Sequence, residues 1–276
     1  MSVFAFTARD FCYKGAMRVL SRYRRVDCRM IFFLLFGGLA TMLVAQNPTA
    51  RPQPDANTAA ASPTEPHLIG WWQFEESGGG VVSDSSAGRH TGQLEGGLAF
   101  DSHSVPGRVG KALQFDGKEA CVRISGFKGV TGGQPRTVLA WIKTQSTEGE
   151  VVSWGENAAG KKWMFGFIRG HLGVSPHGGY LYMKSTVSDD AWHQVAVVVR
   201  EASPPNLHDH VALYRDGTPA EIDDIGLLDL WPIDTGNQSD VRIGRQFKGA
   251  IDDLRIYDRA LSEDEIHALF EKGKER

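Results

Sequence analysis

The chain has 276 residues, of which 41% are hydrophobic, 10% aromatic and 23% charged, and this composition excludes a disordered or fibrous protein. Its 30 Lys and Arg side chains stand against 33 Asp and Glu, a net charge of −3. Residues 1–45 hold seven of the basic and two of the acidic side chains, so the remainder has 23 basic against 31 acidic groups. Such an acidic body lacks the basic face that phosphate neutralisation needs, and we expect no nucleic-acid partner.

The first 45 residues are typical of an export signal. Basic side chains precede an apolar run of 14 residues, Ile31–Val44, and the small residue Ala45 follows it. This order predicts a secretory signal peptide over residues 1–45. The run would span roughly 21 Å as a helix, less than the ~30 Å hydrocarbon core, and an uncleaved signal anchor is the alternative. We expect a secreted, periplasmic or cell-surface protein that meets a membrane only through this segment, if it is not cleaved.

Residues 46–66 form a Pro- and Ala-rich linker with too few large apolar side chains to offset the entropy lost on ordering. The folded domain is predicted over residues 67–276, which is long enough for one substantial core. Cys121 is the single cysteine of this part of the chain. An internal disulfide and a multi-cysteine zinc site are therefore excluded there.

Short apolar runs between turn residues dominate the domain and predict an all-β fold. Asp116-Gly117 and Asp216-Gly217 are hairpin signals, because tight turns need residues that tolerate positive φ. The predicted strands are, in chain order, Ile69–Phe74, Ala112–Phe115, Cys121–Ile124, Thr137–Ile142, Val151–Trp154, Trp163–Ile168, His171–Val174, Trp192–Val199, Val211–Tyr214, Val241–Ile243 and Ala250–Tyr257.

One helix is predicted after the last strand. Ser262 and Glu265 form an S-x-x-E capping box at its start. Ile266 and Phe270 then share one face at helical spacing, and Gly273 is expected to end the helix. Many short strands and one late helix argue for a sandwich or jelly roll rather than an α/β enzyme.

Seven segments of the domain follow a family pattern in their type and order. They are Gly70–Glu76, Asp84–His90, Gly110–Gly117, Thr137–Lys143, Trp192-His193, Leu213–Gly217 and Phe247–Tyr257 with Arg259–Ile266. Together they resemble the laminin-G-like jelly roll of the concanavalin A-like lectin/glucanase superfamily. The resemblance implies two packed antiparallel sheets, one of them concave, and a short C-terminal helix. It implies little about chemistry, because this fold hosts lectins, glycan-binding modules, adhesion domains and glycosidases.

Asp252 is the most informative carboxylate of the sequence. Strict alternation along a strand over Ala250–Tyr257 would place Asp252 on the same face as Leu254 and Ile256. A carboxylate on an apolar face needs a partner, because an isolated buried charge is too costly. Calcium is one candidate, since this hard cation takes carboxylate and carbonyl oxygens.

The family resemblance implies a structural Ca²⁺ that joins the first turn to the last strand. Asp84, in the turn-like segment after the first strand, would then be the second ligand beside Asp252. The alternatives are an ion pair of Asp252 with Arg242 or Arg245, or a carboxylate that caps a local turn. Calcium, if present, is expected to be structural rather than catalytic.

Glycosidases of the same superfamily carry a second glutamate in a Glu-x-Asp-x-Glu or Glu-x-Asp-x-x-Glu strand. Here Glu221 and Asp223 match the first two positions, but Ile225 and Gly226 stand where the second glutamate would be. The retaining mechanism needs both carboxylates, so no catalytic residues are assigned.

Three aromatic residues are predicted to bind a ligand. Trp231 precedes Pro232 in a loop, and Tyr180 and Tyr182 alternate on one strand face. Exposed rings stack on the apolar faces of sugars, whereas core packing is the alternative reading of each ring. The sequence thus predicts an exported, non-catalytic module that binds a glycan or an extracellular or surface protein. A glycoside hydrolase or lyase, and a structural or adhesion domain, are the alternatives.

Overall fold

The computed structural model describes residues 65–223 and 231–275. The predicted signal peptide over 1–45, the linker as far as residue 64, and positions 225 and 226 of the glycosidase comparison lie outside these residues. Within them the chain forms two antiparallel β-sheets that pack face to face, as predicted.

Sheet A contains the first and the last strand of the domain. Its strands lie in the order β14 (Thr218–Pro219), β13 (Val211–Arg215), β12 (Trp192–Val199), β7 (Arg136–Lys143), β17 (Lys248–Tyr257), β5 (Lys111–Asp116) and β4 (Ser104–Pro106), and β1 (Leu68–Trp72) also pairs with β17.

Sheet B is built from strands in the middle of the chain. Its order is β15 (Ile222–Asp223), β11 (Leu181–Met183), β10 (His171–Ser175), β9 (Lys162–Ile168), β8 (Glu150–Gly155), β16 (Ser239–Ile243), β6 (Cys121–Ile124), β3 (Gly92–Glu95) and β2 (Val81–Val82).

The main core lies between the two sheets and takes every second residue of each strand, because side chains alternate across a strand. Val138, Ala140 and Ile142 of β7 point into it from sheet A, and Trp163 and Phe165 of β9 point into it from sheet B. The opposite residues of each strand therefore form an outer face, and these outer faces are where the two sheets differ.

Three helices complete the described residues: α1 (Phe100–His103), α2 (Leu207–His210) and α3 (Glu263–Lys274). The predicted capping box of Ser262 and Glu265 begins α3 with both of its hydrogen bonds. Buried Ile266 packs with Leu139 on the outer face of sheet A. None of the described helices is long and apolar enough to cross a bilayer.

Gly273 does not end α3, which continues to Lys274. A Cβ atom on Gly273 would lie 2.8 Å from Cζ2 and Nε1 of the Trp141 ring. The ring of Phe270 stacks on the same indole with centroids 5.6 Å apart. The glycine is thus needed for close approach of the helix to sheet A rather than for helix termination.

The predicted common face of Asp252, Leu254 and Ile256 is wrong, because β17 contains a bulge. Asp252 pairs with Trp141 and Arg255 with Leu139, so β17 has one more residue than β7 over this stretch. Asp253 takes up the extra residue with a φ of 48°. Leu254 and Ile256 point into the core between the sheets. Asp252 points to the outer face of sheet A, beside Trp141.

Candidate functional site

The Trp231 side chain is 48% exposed, which makes it one of the two large apolar residues at the described surface, together with Val81. It lies against two glycines. A Cβ atom on Gly178 would be 2.8 Å from Cδ1 of Trp231, and a Cβ atom on Gly160 would be 3.6 Å from its Cβ. The turns before β9 and before β11 thus form the support on which this indole rests.

The backbone that follows Trp231 is firmly attached to the domain. The Ile233 N–H donates to the Pro205 carbonyl at 2.8 Å, and the Asp234 N–H donates to the Gly160 carbonyl at 2.9 Å. The Ile233 side chain is fully buried in the main core. The indole is therefore presented from an anchored segment, which lowers the entropy that a ligand would have to remove.

Arg136 ties two loops together near this segment. Its guanidinium donates to the Val130 carbonyl at 2.7 Å, to the Gly132 carbonyl at 2.7 Å and to Thr235 Oγ1 at 2.8 Å. It also lies 5.0 Å from the centroid of the Trp163 ring. Burial lowers the pKa of Arg136 to about 9, so the group stays charged at neutral pH.

Tyr182 lies in β11 of sheet B, whereas Tyr180 precedes that strand rather than alternating with Tyr182 along it, and the two rings lie at different depths. Tyr180 is half-buried, and the Arg169 guanidinium lies 5.2 Å from its ring centroid. Tyr182 is only 3% exposed and stacks between the rings of Tyr180 and His171, with centroid distances of 5.9 and 5.1 Å. Its burial places Tyr182 behind Tyr180 rather than at the surface.

A polar groove of about 540 Å³ lies on the outer face of sheet B. Its lining residue Arg242 pairs with Glu95 at 3.3 Å, and Glu95, which lies outside the lining, also pairs with Arg123 at 2.9 Å. Glu150 pairs with Lys162 at 2.8 Å, and Lys162 follows Gly160 of the Trp231 support by two residues. The start of β9 thus borders both features, because Lys162 lines the groove and Gly160 lies against Trp231.

Sequence reasoning missed this groove. Its side chains come from strands that are distant in sequence, in a cross-strand row that joins Arg123, Arg242, Ser153 and Met164. The available signal was charged residues alternating with apolar ones, as in Val241-Arg242-Ile243. That signal predicts an open outer face without saying which strands become neighbours.

Asp84 is buried and holds the turn after the first strand. Its two oxygens accept hydrogen bonds from the N–H groups of Trp71 at 2.8 Å, Ser86 at 2.8 Å and His90 at 2.7 Å, and from Ser86 Oγ at 2.9 Å. Four donors satisfy the carboxylate without a metal. The turn-capping alternative therefore describes the geometry of Asp84.

Asp252 is fully buried and has one satisfied oxygen. Oδ2 accepts from the Val109 N–H at 2.8 Å, whereas Oδ1 has no partner among the described residues. The pKa of Asp252 is raised to about 8, mainly by burial and in smaller part by the neighbouring Asp253. The predicted ion pair with Arg242 or Arg245 is wrong, since these residues pair with Glu95 and Glu150 on sheet B.

The described residues do not assemble the oxygen shell that Ca²⁺ needs. The oxygens of Asp84 already face four donors, and Asp252 contributes one free oxygen. Over the described ranges, no group of three or more His, Cys, Asp or Glu side chains is arranged to hold a metal ion. The expectation of calcium at Asp84 and Asp252 thus gains no support from the described side chains, and a melting experiment with and without a chelator tests it.

Glu221 and Asp223, the two matched positions of the glycosidase pattern, lie at the edge of sheet B, just before and within β15. Glu221 is exposed and pairs with Lys184 at 2.5 Å. The backbone of Asp223 pairs with that of Tyr182 where β15 and β11 are hydrogen-bonded at the edge of sheet B. The position of the second glutamate, 225 or 226, lies outside the described residues, so the comparison with glycosidases rests on the sequence.

The fold defines the domain as a two-sheet, antiparallel jelly-roll sandwich. The sequence profile of the concanavalin A-like lectin/glucanases superfamily matches residues 116–267, more than half of the chain. The chain belongs to this superfamily, which confirms the family that the sequence segments resemble. No curated protein matches the sequence.

Solved structures with the same fold include several binding domains. Domain 4 of an extracellular arabinanase from Geobacillus stearothermophilus, in complex with arabinotriose, is 19% identical with a TM-score of 0.54, covering 73% of this chain and 97% of that domain. The binding domain of Paraclostridial Mosquitocidal Protein 1 is 18% identical with a TM-score of 0.56. The binding domain of botulinum neurotoxin DC, in complex with rat synaptotagmin II, is 14% identical with a TM-score of 0.51.

Each toxin alignment covers 75% of this chain but only 52% of the toxin structure, so the chain spans about half the length of those domains. At such low identities the likenesses show the fold. The chain thus has a concanavalin A-like fold that other proteins use as carbohydrate-bound or receptor-bound domains.

Proposed function

We propose that the domain is a non-catalytic binding module that recognises carbohydrate through an aromatic rim formed by Trp231 and Tyr180. The observation that carries the proposal is the 48% exposed indole of Trp231 on an anchored backbone. An indole exposed to water is energetically unfavourable, and a sugar that stacks its apolar face on the ring removes that area from water. Tyr182 supports Tyr180 from below and is not itself a contact.

The polar groove beside the rim supports the same proposal. Glycan recognition combines aromatic stacking with a few fixed polar groups that bind hydroxyls. Arg242, Lys162 and Ser153 line the groove and are held in place by carboxylate partners. The arabinotriose bound to the arabinanase domain makes a short neutral oligosaccharide a sensible first probe.

A surface protein is the other class of partner that the fold suggests, because one structural neighbour binds rat synaptotagmin II. Export through residues 1–45 would bring the module to either partner outside the cytoplasm. Sequencing the N-terminus of secreted protein tests this, since a mature chain that begins after residue 45 is expected.

The binding test measures arabinotriose and a glycan array against the full chain and against Trp231→Ala. We expect at least a tenfold loss of affinity for the glycans that bind, equivalent to about 1.4 kcal/mol of aromatic contact. Val81→Ala is the matched control, because Val81 is also exposed, at 47%, but lies on β2. Equal binding by Trp231→Ala, or no glycan bound at all, would overturn the proposal.

A further inference from the structure

A second groove, of about 760 Å³, lies on the outer face of sheet A beyond the end of α3. Its floor is one cross-strand row: Gln114 of β5 pairs with Ala250 of β17, Ala250 with Lys143 of β7, and Lys143 with Trp192 of β12. The small Ala250 makes a dip in this row, between longer side chains on either side. We call this feature the lysine groove.

Two of its lining residues are cations without a counter-ion. Neither Lys143 nor Lys248 makes an ion pair or a side-chain hydrogen bond among the described residues. Lys128, Lys162 and Lys184, by contrast, each pair with a carboxylate. Asp190 supplies the one carboxylate among the lining residues.

The buried row next to the floor contains polar atoms that also lack partners. Asp252, Trp141 and Gln194 form that row, two residues further along the same three strands. Asp252 Oδ1, Trp141 Nε1 and both amide atoms of Gln194 have no hydrogen-bond partner in the described part of the chain. Gln194 is only 2% exposed and lies on the same face as Trp192. Buried polar atoms almost always have a partner, so this row leaves unsatisfied hydrogen-bonding groups beside the inner end of the groove.

We propose that the lysine groove is a second binding site, separate from the aromatic rim, that takes an anionic sugar of the uronate type. Trp192 offers its half-exposed ring to the sugar face, and Lys143 and Lys248 bind the carboxylate. Gln114 binds hydroxyls from the floor of the groove. The volume lies in the range of pockets that enclose small ligands.

The test measures binding of trigalacturonate, and of its neutral methyl ester, to the full chain. We expect trigalacturonate to bind and the ester to bind at least about tenfold more weakly, because the ester removes the charge that the lysines recognise. The double variant Lys143→Ala/Lys248→Ala and the single variant Trp192→Ala are each expected to lose about tenfold or more. Trp192→Phe, which keeps a ring, is expected to retain most of the affinity.

Matched controls distinguish a specific site from nonspecific attraction between lysine side chains and an anionic sugar. Lys128→Ala/Lys184→Ala removes two cations elsewhere and is expected to bind trigalacturonate as the natural chain does. Gln114→Leu is expected to weaken binding and to leave the melting temperature unchanged, because Gln114 is half-buried at the floor and its side chain makes one hydrogen bond, of 3.3 Å, to the Phe115 carbonyl. A purely structural role of Gln114 would lower the melting temperature instead.

Several results would overturn the proposal. Loss of trigalacturonate binding in Trp231→Ala, with full binding by the groove variants, would place the anionic sugar at the aromatic rim. Equal binding of a sulfated trisaccharide or of poly-glutamate would reduce the groove to a charge patch. Absence of trigalacturonate binding, while neutral glycans still require Trp231, would remove this site and leave the proposed function intact.

Discussion

The outer faces of the two sheets differ in polarity: sheet A carries an apolar cluster there, and sheet B carries ion pairs. On sheet A, Leu139 and Tyr257 point outward beneath Leu261 and Ile266, which form a second apolar cluster under α3. On sheet B, the outward positions hold ion-paired side chains such as Glu95 and Arg242, with no helix over them in the described residues. An apolar outer face needs a cover from the same chain, whereas a charged outer face stays accessible to a ligand.

The cover over sheet A is also incomplete. Helix α3 reaches Trp141 through Phe270 and Gly273, and the next row along β7, at Lys143, borders the open lysine groove. Sheet A therefore has a part that α3 covers and a part that is open. The boundary runs between Trp141 and Lys143, which are two residues apart on the outer face of β7. Variants on the covered part, on the open part and on sheet B test that division.

Ile266→Ala is expected to have the largest effect, because Ile266 is the fully buried anchor of α3 on sheet A. Removing its side chain leaves a cavity in the second cluster and is expected to lower the free energy of unfolding by about 2–5 kcal/mol. Urea unfolding measures this, and the exposed neighbour variant His267→Ala should differ little from the natural chain. A loss below about 1 kcal/mol would mean that α3 contributes little to the cover.

Asp252→Asn tests the buried row beneath that cover. The folded state keeps a proton on Asp252 up to about pH 8, whereas the unfolded chain releases it near pH 4. The unfolding free energy of the natural chain should therefore fall as the pH rises from about 4 to about 8. The asparagine variant lacks this loss, and we expect it to be more stable by at least about 1 kcal/mol at pH 8.

The measurement is urea unfolding at several pH values across that window. Asp101→Asn, at an exposed site, serves as the control and should follow the natural chain. Parallel stability curves for Asp252→Asn and the natural chain would contradict the raised pKa and the sealed character of this row.

The strands and the helix could be predicted because local patterns specify them. Apolar alternation gives β7 and β12, and the capping box of Ser262 and Glu265 gives the start of α3. The bulge at Asp253 could not be predicted, since either Asp of the pair can adopt positive φ and the choice depends on the register with β7. That one residue moves Asp252 to the opposite face and changes its partners.

The candidate site was predictable only in part, for a related reason. Trp231 is identified by its place beside a proline in a loop, and its exposure is a local property. The burial of Tyr182 depends on the His171 ring, which belongs to the neighbouring strand. Likewise the unpaired state of Lys143 and Lys248 depends on which carboxylates the fold brings near, and alternation alone does not specify that.

Glu95→Gln probes the open face of sheet B with a small expected effect. Glu95 pairs with Arg123 and Arg242, but all three side chains are between 34% and 40% exposed. Solvent screening limits such pairs, so we expect the unfolding free energy to change by no more than about 1 kcal/mol, and by less in high salt. A loss above about 2 kcal/mol, measured by the same urea method, would show that this face is structurally required and not merely accessible.

We expect Ca²⁺ to leave the stability of the protein unchanged, a smaller effect than that of any variant above. The melting temperature should be the same in EDTA and in millimolar Ca²⁺, because the oxygens of Asp84 are taken by backbone and hydroxyl donors. Asp84→Asn should lower the melting temperature equally in both buffers, since an amide keeps one acceptor and places a donor against the other N–H and O–H groups. If Ca²⁺ raised the melting temperature of the natural chain and not of Asp84→Asn, the aspartate would be a ligand. The turn after β1 would then owe its stability to the ion rather than to those hydrogen bonds.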